Sequence, residues 1–304
     1  MSSSGPSAEV RAQVEALDRG GAFVDLTMWR KTTVTGSDTS SWLNDLLTAD
    51  LAGLSRGSAA RSFLLSRTGQ VRADVGVLAR PDGYLLVQDP VQDESIDRAL
   101  SPYVLSADVD LTDATRTLGL LAFPAAVDAD RVRISSAETF RPSVLGPGVD
   151  VVVPADLVAE ARDQALAGGL VEASAEAVEA WRIHHGRARA GVDLGPEAVP
   201  LEAATGDLIA EAKGCYLGQE AVARIRNLGH PPFVLLAATC PSPLSAGDPV
   251  QSDGTAVGTV TSAEPVGGGG STVIVRVRWA AREADLASAE GGPLHVLGPA
   301  TVVG

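Results

Sequence analysis

Cysteine is scarce: Cys215 and Cys240 are the only two in 304 residues. Two thiols make no disulfide framework, and alone they cannot complete a four-ligand zinc site. Lysine is equally scarce. Lys31 and Lys213 stand against twenty-two arginines, which draws attention to the two positions that keep a lysine. Positive charge is short overall, with 24 Lys+Arg facing 38 Asp+Glu for a net charge of −14. Broad, sequence-blind nucleic-acid binding would lack the cations that release counterions. A small basic pocket for an anionic ligand stays open. No run of about 18 apolar residues is free of charge, so no membrane-spanning helix is expected. Met1 to Val10 is Ser-rich, with no apolar core behind a basic start, and does not read as a signal peptide. A soluble protein in a reducing cytoplasm is expected. Histidine offers little: His184-His185 end a predicted helix, where neighbours point about 100° apart. Only His230 and His295 occur elsewhere, and no metal site is expected.

The remaining composition is ordinary for a globular chain, 45% hydrophobic and 20% charged. At roughly 150 residues per domain, the length suggests about two domains. The pattern runs helix, strand and helix over the first fifty residues. Ala8 to Leu17 has helical spacing, Phe23 to Leu26 and Thr32 to Val34 read as extended, and Ser37 or Asp38 caps a helix with Trp42, Leu43, Leu46 and Leu47 as its apolar stripe. Arg61 to Leu65 and Val71 to Ala79 flank a hairpin turn at Thr68-Gly69, and Tyr84 to Gln88 follows as a strand. Leu118 to Phe123 and Val149 to Val153 read as buried strands. Ala155 to Ala167 and Ser174 to His185 read as helices. Short, irregular alternation favours an α+β class over a doubly wound sheet. After Pro241 the chain turns to short strands, Val257 to Ala263, Thr272 to Trp279, Leu294 to Val296 and Thr301 to Val303. This predicts a small C-terminal β-barrel over 241–304, appended to a body over 8–240.

The most informative segment is Lys213-Gly214-Cys215-Tyr216-Leu217-Gly218-Gln219-Glu220. Gly218 leads into a predicted helix from Gln219 to Arg226, on which Glu220 and Arg224 are i,i+4 partners. Cys215 stands just before that helix N-terminus and close to Lys213, and both features favour thiolate over thiol. N–H groups at Gly218 to Glu220 are suited to an anionic ligand. The competing reading makes Cys215 a small buried hydrophobe beside a structural turn.

This octapeptide resembles the signature of the YgfZ family, folate-binding proteins related to the T-protein, the aminomethyltransferase of the glycine cleavage system. Val199-Pro200-Leu201-Glu202, Trp181-Arg182-Ile183 with Gly186, Val34-Thr35-Gly36 with Asp38 and Leu43 to Asp50, and Gly69 to Val77 are also similar to family elements. The resemblance extends over roughly residues 20 to 300. It implies a T-protein-like body of mixed α/β subdomains around a central channel that holds tetrahydrofolate. It further implies a role in iron–sulfur cluster assembly or repair, with a functional motif cysteine and with iron–sulfur proteins or assembly factors as partners. By matched position, Lys213, Cys215, Tyr216, Gly218, Gln219, Glu220 and Arg224 carry over as motif residues, Lys213 and Arg224 toward the sulfur or the folate tail.

Asp74 lies in Gly69-Gln70-Val71-Arg72-Ala73-Asp74, which resembles the place of the T-protein's catalytic aspartate. A carboxylate there could hydrogen-bond the folate's reactive nitrogen and assist one-carbon transfer. The competing reading is a polar strand residue beside Arg72. The stretch Leu145-Gly146-Pro147-Gly148 lacks the acid of the T-protein's Tyr-Thr-Gly-Glu turn. Three functions follow in order: a folate-dependent iron–sulfur factor acting through Cys215, a folate-dependent aminomethyl- or methyltransferase acting through Asp74, and a non-catalytic interaction module. Cys240, at the end of an apolar strand, reads as inert core.

Overall fold

The structure, a computed structural model, describes residues 5–126, 134–205 and 208–302. The strand expected at Thr301 to Val303 therefore ends, at Val303, outside the described residues. The chain forms two compact units. One comprises Glu15–Ser174 and Gly206–Gln219; the other comprises Met1–Val14, Ala175–Thr205 and Glu220–Val303. Helix α1 (Ala8–Asp18) opens the chain, with Val10 and Leu17 buried.

The unit that contains most of the first half has two five-stranded sheets. In the first, the order is β10 (Val171–Glu172), β1 (Ala22–Asp25), β7 (Leu118–Phe123), β9 (Val149–Pro154), β8 (Glu138–Phe140). The central strands β7 and β9 are almost wholly buried, and apolar throughout except for Asp150 in β9, as strands covered on both faces tend to be. Helix α4 (Val158–Ala167), entered through a 3-10 turn at Ala155–Leu157, packs on β7, β9 and β10. Phe23 and Phe123 meet at 5.8 Å in this core.

The second sheet has the order β3 (Ala59–Leu65), β4 (Val71–Arg80), β5 (Gly83–Gln88), β2 (Arg30–Thr35), β6 (Asp110–Asp113), all antiparallel. The β3–β4 hairpin turns at Ser66 to Gln70, where Gly69 takes φ +86. Helices α2 (Thr39–Leu46) and α3 (Ile96–Leu100) lie on this sheet. The predicted stripe of α2 holds: Leu43, Leu46 and Leu47 are buried with Val75, Val77 and Leu86, and Trp42 packs at the margin. Asp38 is the N-cap of α2, but its carboxylate accepts from Asp108 N (2.8 Å) instead of from the helix. Strands β6 and β8 carry no apolar pattern and escape a sequence reading; register with β2 and β9 makes them strands.

In the other unit, α5 (Ala175–His184) packs on one six-stranded antiparallel sheet. Its order is β15 (Ala287–Ser288), β12 (Pro249–Ser252), β13 (Thr255–Pro265), β14 (Ser271–Arg278), β11 (Phe233–Cys240), β16 (His295–Pro299). This corrects the expected barrel. The sheet is open among the described residues, because a two-residue edge and an exposed edge strand cannot complete a ladder. It also takes in β11, before Pro241. The mixed α/β expectation is met, and among the described residues β1 with β10 is the one parallel strand pair in the three sheets. Among the described residues, no helix is long and apolar enough to cross a membrane.

Candidate functional site

The segment from Leu208 to Gln219 is laid against the C-terminal end of α2 by polar contacts at both of its ends. Thr48 Oγ1 donates to Leu208 O (2.6 Å), and Ala210 N donates to Thr48 O (3.0 Å). Leu217 N donates to Asp45 O (3.1 Å). Between these anchors, Lys213 Nζ donates to three backbone carbonyls: Asn44 O (2.6 Å), Leu47 O (2.7 Å) and Ala49 O (2.7 Å). An ammonium has three N–H groups, so all of its donors are engaged. Burial pushes the Lys213 amine down to about 8, against the opposing pull of Asp50 and Asp45.

Cys215 is exposed at the tip of this loop. That removes the reading of it as a buried hydrophobe, whereas Cys240 is buried in the C-terminal sheet as expected. Tyr216 is half-buried, with the Lys213 ammonium 5.5 Å from its ring centre. Tyr216 N donates to Gln219 Oε1 (3.0 Å), which closes the turn into helix α6 (Gln219–Leu228). Gly218 takes φ +81, and a Cβ there would stand 2.5 Å from Ser66 O and 2.9 Å from Leu65 Cβ. Only glycine fits that approach. Glu220 and Arg224 are both exposed on α6. The ion pair expected between them is absent among the described residues, and both side chains face solvent, where such a pair contributes little.

Asp74 is in a different setting. It is buried on β4, and its two oxygens receive Arg61 Nε (2.8 Å) and Arg61 Nη2 (2.6 Å) from β3. Arg61 lies opposite Gly76, so Asp74 is its diagonal neighbour across the hairpin. Gln92 pins the main chain, accepting from Asp74 N (2.8 Å) and donating to Asp74 O (2.9 Å). The expected neighbour Arg72 pairs instead with Glu94 (2.7 Å). The structure thus brings Lys213, Cys215, Tyr216, Gly218 and Gln219 into one anchored loop, with Glu220 and Arg224 following on α6. Asp74 belongs to a separate strand pair.

The Pro-Leu-Glu and Trp-Arg-Ile elements also carry buried charges, whose partners the sequence pattern does not mark. Glu202 of the Pro-Leu-Glu element is fully buried and receives Arg276 Nε (2.6 Å) and Nη2 (3.0 Å). Arg182, on α5, donates to Asp193 Oδ2 (2.9 Å) and Ser262 Oγ (2.8 Å), and pairs with Glu179. Asp193 also accepts from Thr261 Oγ1 (2.6 Å) and Ser262 Oγ (2.7 Å). These saturated networks hold their unit together. No cluster of His, Cys, Asp or Glu fit to hold a metal ion occurs among the described residues.

The fold agrees with what the comparisons find. The sequence model of the GCVT N-terminal domain family matches residues 3–126. The glycine cleavage system aminomethyltransferase T from Bartonella henselae superposes with a TM-score of 0.77 over 93% of this chain and 88% of that one, at 18% identity. The chain has the T-protein fold. Two curated relatives align over most of it. One is a chloroplastic protein of Arabidopsis thaliana named provisionally as a transferase, 25% identical over 281 residues, or 82% of this chain and 63% of the relative. The other is an aminomethyltransferase of Herpetosiphon aurantiacus, 24% identical over 283 residues, or 85% of this chain and 78% of the relative. The chain therefore spans under two thirds of the length of the Arabidopsis protein. On this fold the motif loop is an anchored surface turn, and the Asp74 carboxylate is closed in an ion pair with Arg61.

Proposed function

We propose that this chain binds tetrahydrofolate and acts through the Cys215 thiol in the assembly or repair of iron–sulfur proteins, in the cytoplasm. The carrying observation is the contrast between two side chains. Cys215 is exposed on a loop fixed at both ends, while both oxygens of Asp74 are engaged by Arg61. A reactive group must reach its partner. Cys215 can, whereas Asp74 would first have to leave its guanidinium. A single thiolate cannot hold a cluster, which normally needs four cysteines. The cluster is thus cargo, met together with a partner's ligands, and the partners are iron–sulfur proteins or assembly factors.

Tetrahydrofolate is the cofactor that the fold family implies, and the donor set fits it in part. Its tail carries carboxylates, and Arg224 lies exposed on α6, its guanidinium with no hydrogen bond or ion pair among the described residues. A guanidinium of that kind suits a carboxylate. Tyr216 offers a ring and Gln219 an amide nitrogen. Lys213 does not fit as a ligand, since its donors are taken. Bound tetrahydrofolate would supply a carrier of one-carbon units; the chain supplies the thiol and the tail contacts.

The second reading, an aminomethyl- or methyltransferase, is favoured by the name of the Herpetosiphon relative and by the T-protein fold. Calorimetric titration with tetrahydrofolate, run beside a turnover assay on a methylamine-type substrate, separates the readings. Our proposal expects saturable binding, no turnover, and binding retained in Asp74→Asn. Turnover that is lost in Asp74→Asn would establish the transferase. No heat of binding at all would leave a non-catalytic interaction module.

A further inference from the structure

Lysine appears at two positions in the chain, and at both the ammonium is directed to backbone carbonyls. Lys31, fully buried, donates to Thr27 O (2.8 Å) and Trp29 O (2.6 Å). Lys213 donates to Asn44 O, Leu47 O and Ala49 O. In every other place the chain takes its positive charge from arginine. Arginine offers a planar fork suited to carboxylates; lysine offers three N–H groups around a point. Three carbonyls converging on one atom therefore call for lysine.

The carbonyls also need a cation. Asn44 lies in the last turn of α2 and Leu47 is its C-cap, where carbonyls lack intrahelical partners and the helix end is negative. The last turn of α2 has no basic residue of its own. Lys213 supplies the missing charge from more than 160 positions along the chain. The same side chain stands two residues before Cys215. Beyond Cys215, Leu217 is fixed by the carbonyl of Asp45, and Gly218 lies against Ser66.

We propose that Lys213 is a positioning residue: by capping the C-terminal end of α2 it fixes the near end of the loop that presents Cys215, and it contacts neither the sulfur nor the folate. This rests on the reading that Cys215 is the working group, and it changes the role that sequence resemblance suggests for the lysine. It adds a specific geometric demand. The number of N–H donors at position 213 sets how firmly the loop is held.

The test uses the full chain with Cys240→Ala, so that alkylation reads Cys215 alone. Lys213→Gln keeps two donors and Lys213→Met keeps none. Hydrogen exchange of the segment 208–219 and of the last turn of α2 should rise in the order Lys, Gln, Met, while the β11–β14 ladder stays protected. The dissociation constant for tetrahydrofolate should change less than about threefold, well under the tenfold that 1.4 kcal/mol represents. The pH midpoint of Cys215 alkylation should be the same in Lys213→Gln as in the parent. If Lys213→Met fails to fold, Lys213→Gln carries the comparison by itself. Unchanged exchange in Lys213→Gln overturns the proposal. So does a tenfold loss of folate affinity with unchanged exchange, which would make Lys213 a ligand contact, or a shifted alkylation midpoint, which would make it the partner of the sulfur. A dispensable Cys215 would overturn the function assigned above but would leave the exchange result standing, so the two failures are distinguishable.

Discussion

Asp150 has no solvent exposure in β9, and burial lifts its carboxyl to about 7. The Ser143 hydroxyl (2.6 Å) and Val144 N–H (2.8 Å) oppose that rise by bonding the charged form, but desolvation is the larger effect. The folded carboxyl titrates above its unfolded value of 3.8, so from there up to about pH 7 the unfolded chain is ionised while the folded one holds its proton. Stability from this group falls with rising pH across that window and stays reduced above it. Asp150→Asn removes the slope; its amide mimics the protonated acid, accepting from Val144 N–H and donating to Ser143 Oγ, so it costs at most about 1 kcal/mol. Urea midpoints of parent and variant at pH 4.5, 6 and 8 should show the parent's advantage shrinking as pH rises. A constant gap would mean that Asp150 titrates normally. The same scale explains what the sequence could not show about Asp74. Arg72 is its near neighbour in the chain, but strand pairing gives Asp74 to Arg61, while Arg72 takes Glu94 from the segment before α3. Ion pairs across a hairpin depend on register, which single residues do not encode.

At the scale of elements, the motif loop was recognisable because it gathers rare residue types, and α2 because its leucines keep helical spacing. The link between them was not. The acceptors of Lys213 are carbonyl oxygens, which every residue possesses and no sequence pattern marks. Gly218 is the other fixed point of the loop. Its positive φ and its approach to Ser66 O both exclude a side chain. Gly218→Ala should destabilise the chain by on the order of 1–3 kcal/mol, from backbone strain together with the clash. A urea midpoint unchanged from the parent would show that the turn yields at no cost and that the loop is not held there. The short strands β6, β8, β10, β12 and β15 were illegible for a related reason. They are edges or near-edges with mixed polarity, and hydrogen bonding to a longer neighbour makes them strands.

For the whole molecule, the sequence carried the α+β class, the long strands and the T-protein likeness, because these rest on apolar periodicity and extended motifs. It overstated the C-terminal part, where alternating short strands predict a barrel and the structure has an open six-stranded sheet. Strand count alone does not say whether two edges meet. The central claim is that an exposed thiol on a rigid loop, and not a buried carboxylate, does the work on this fold. The most direct measurement is iron–sulfur enzyme activity in a strain lacking this protein, restored with the parent chain, with Asp74→Asn or with Cys215→Ala, at matched protein levels. The account predicts restoration by the parent and by Asp74→Asn, and none by Cys215→Ala. Full restoration by Cys215→Ala would contradict it.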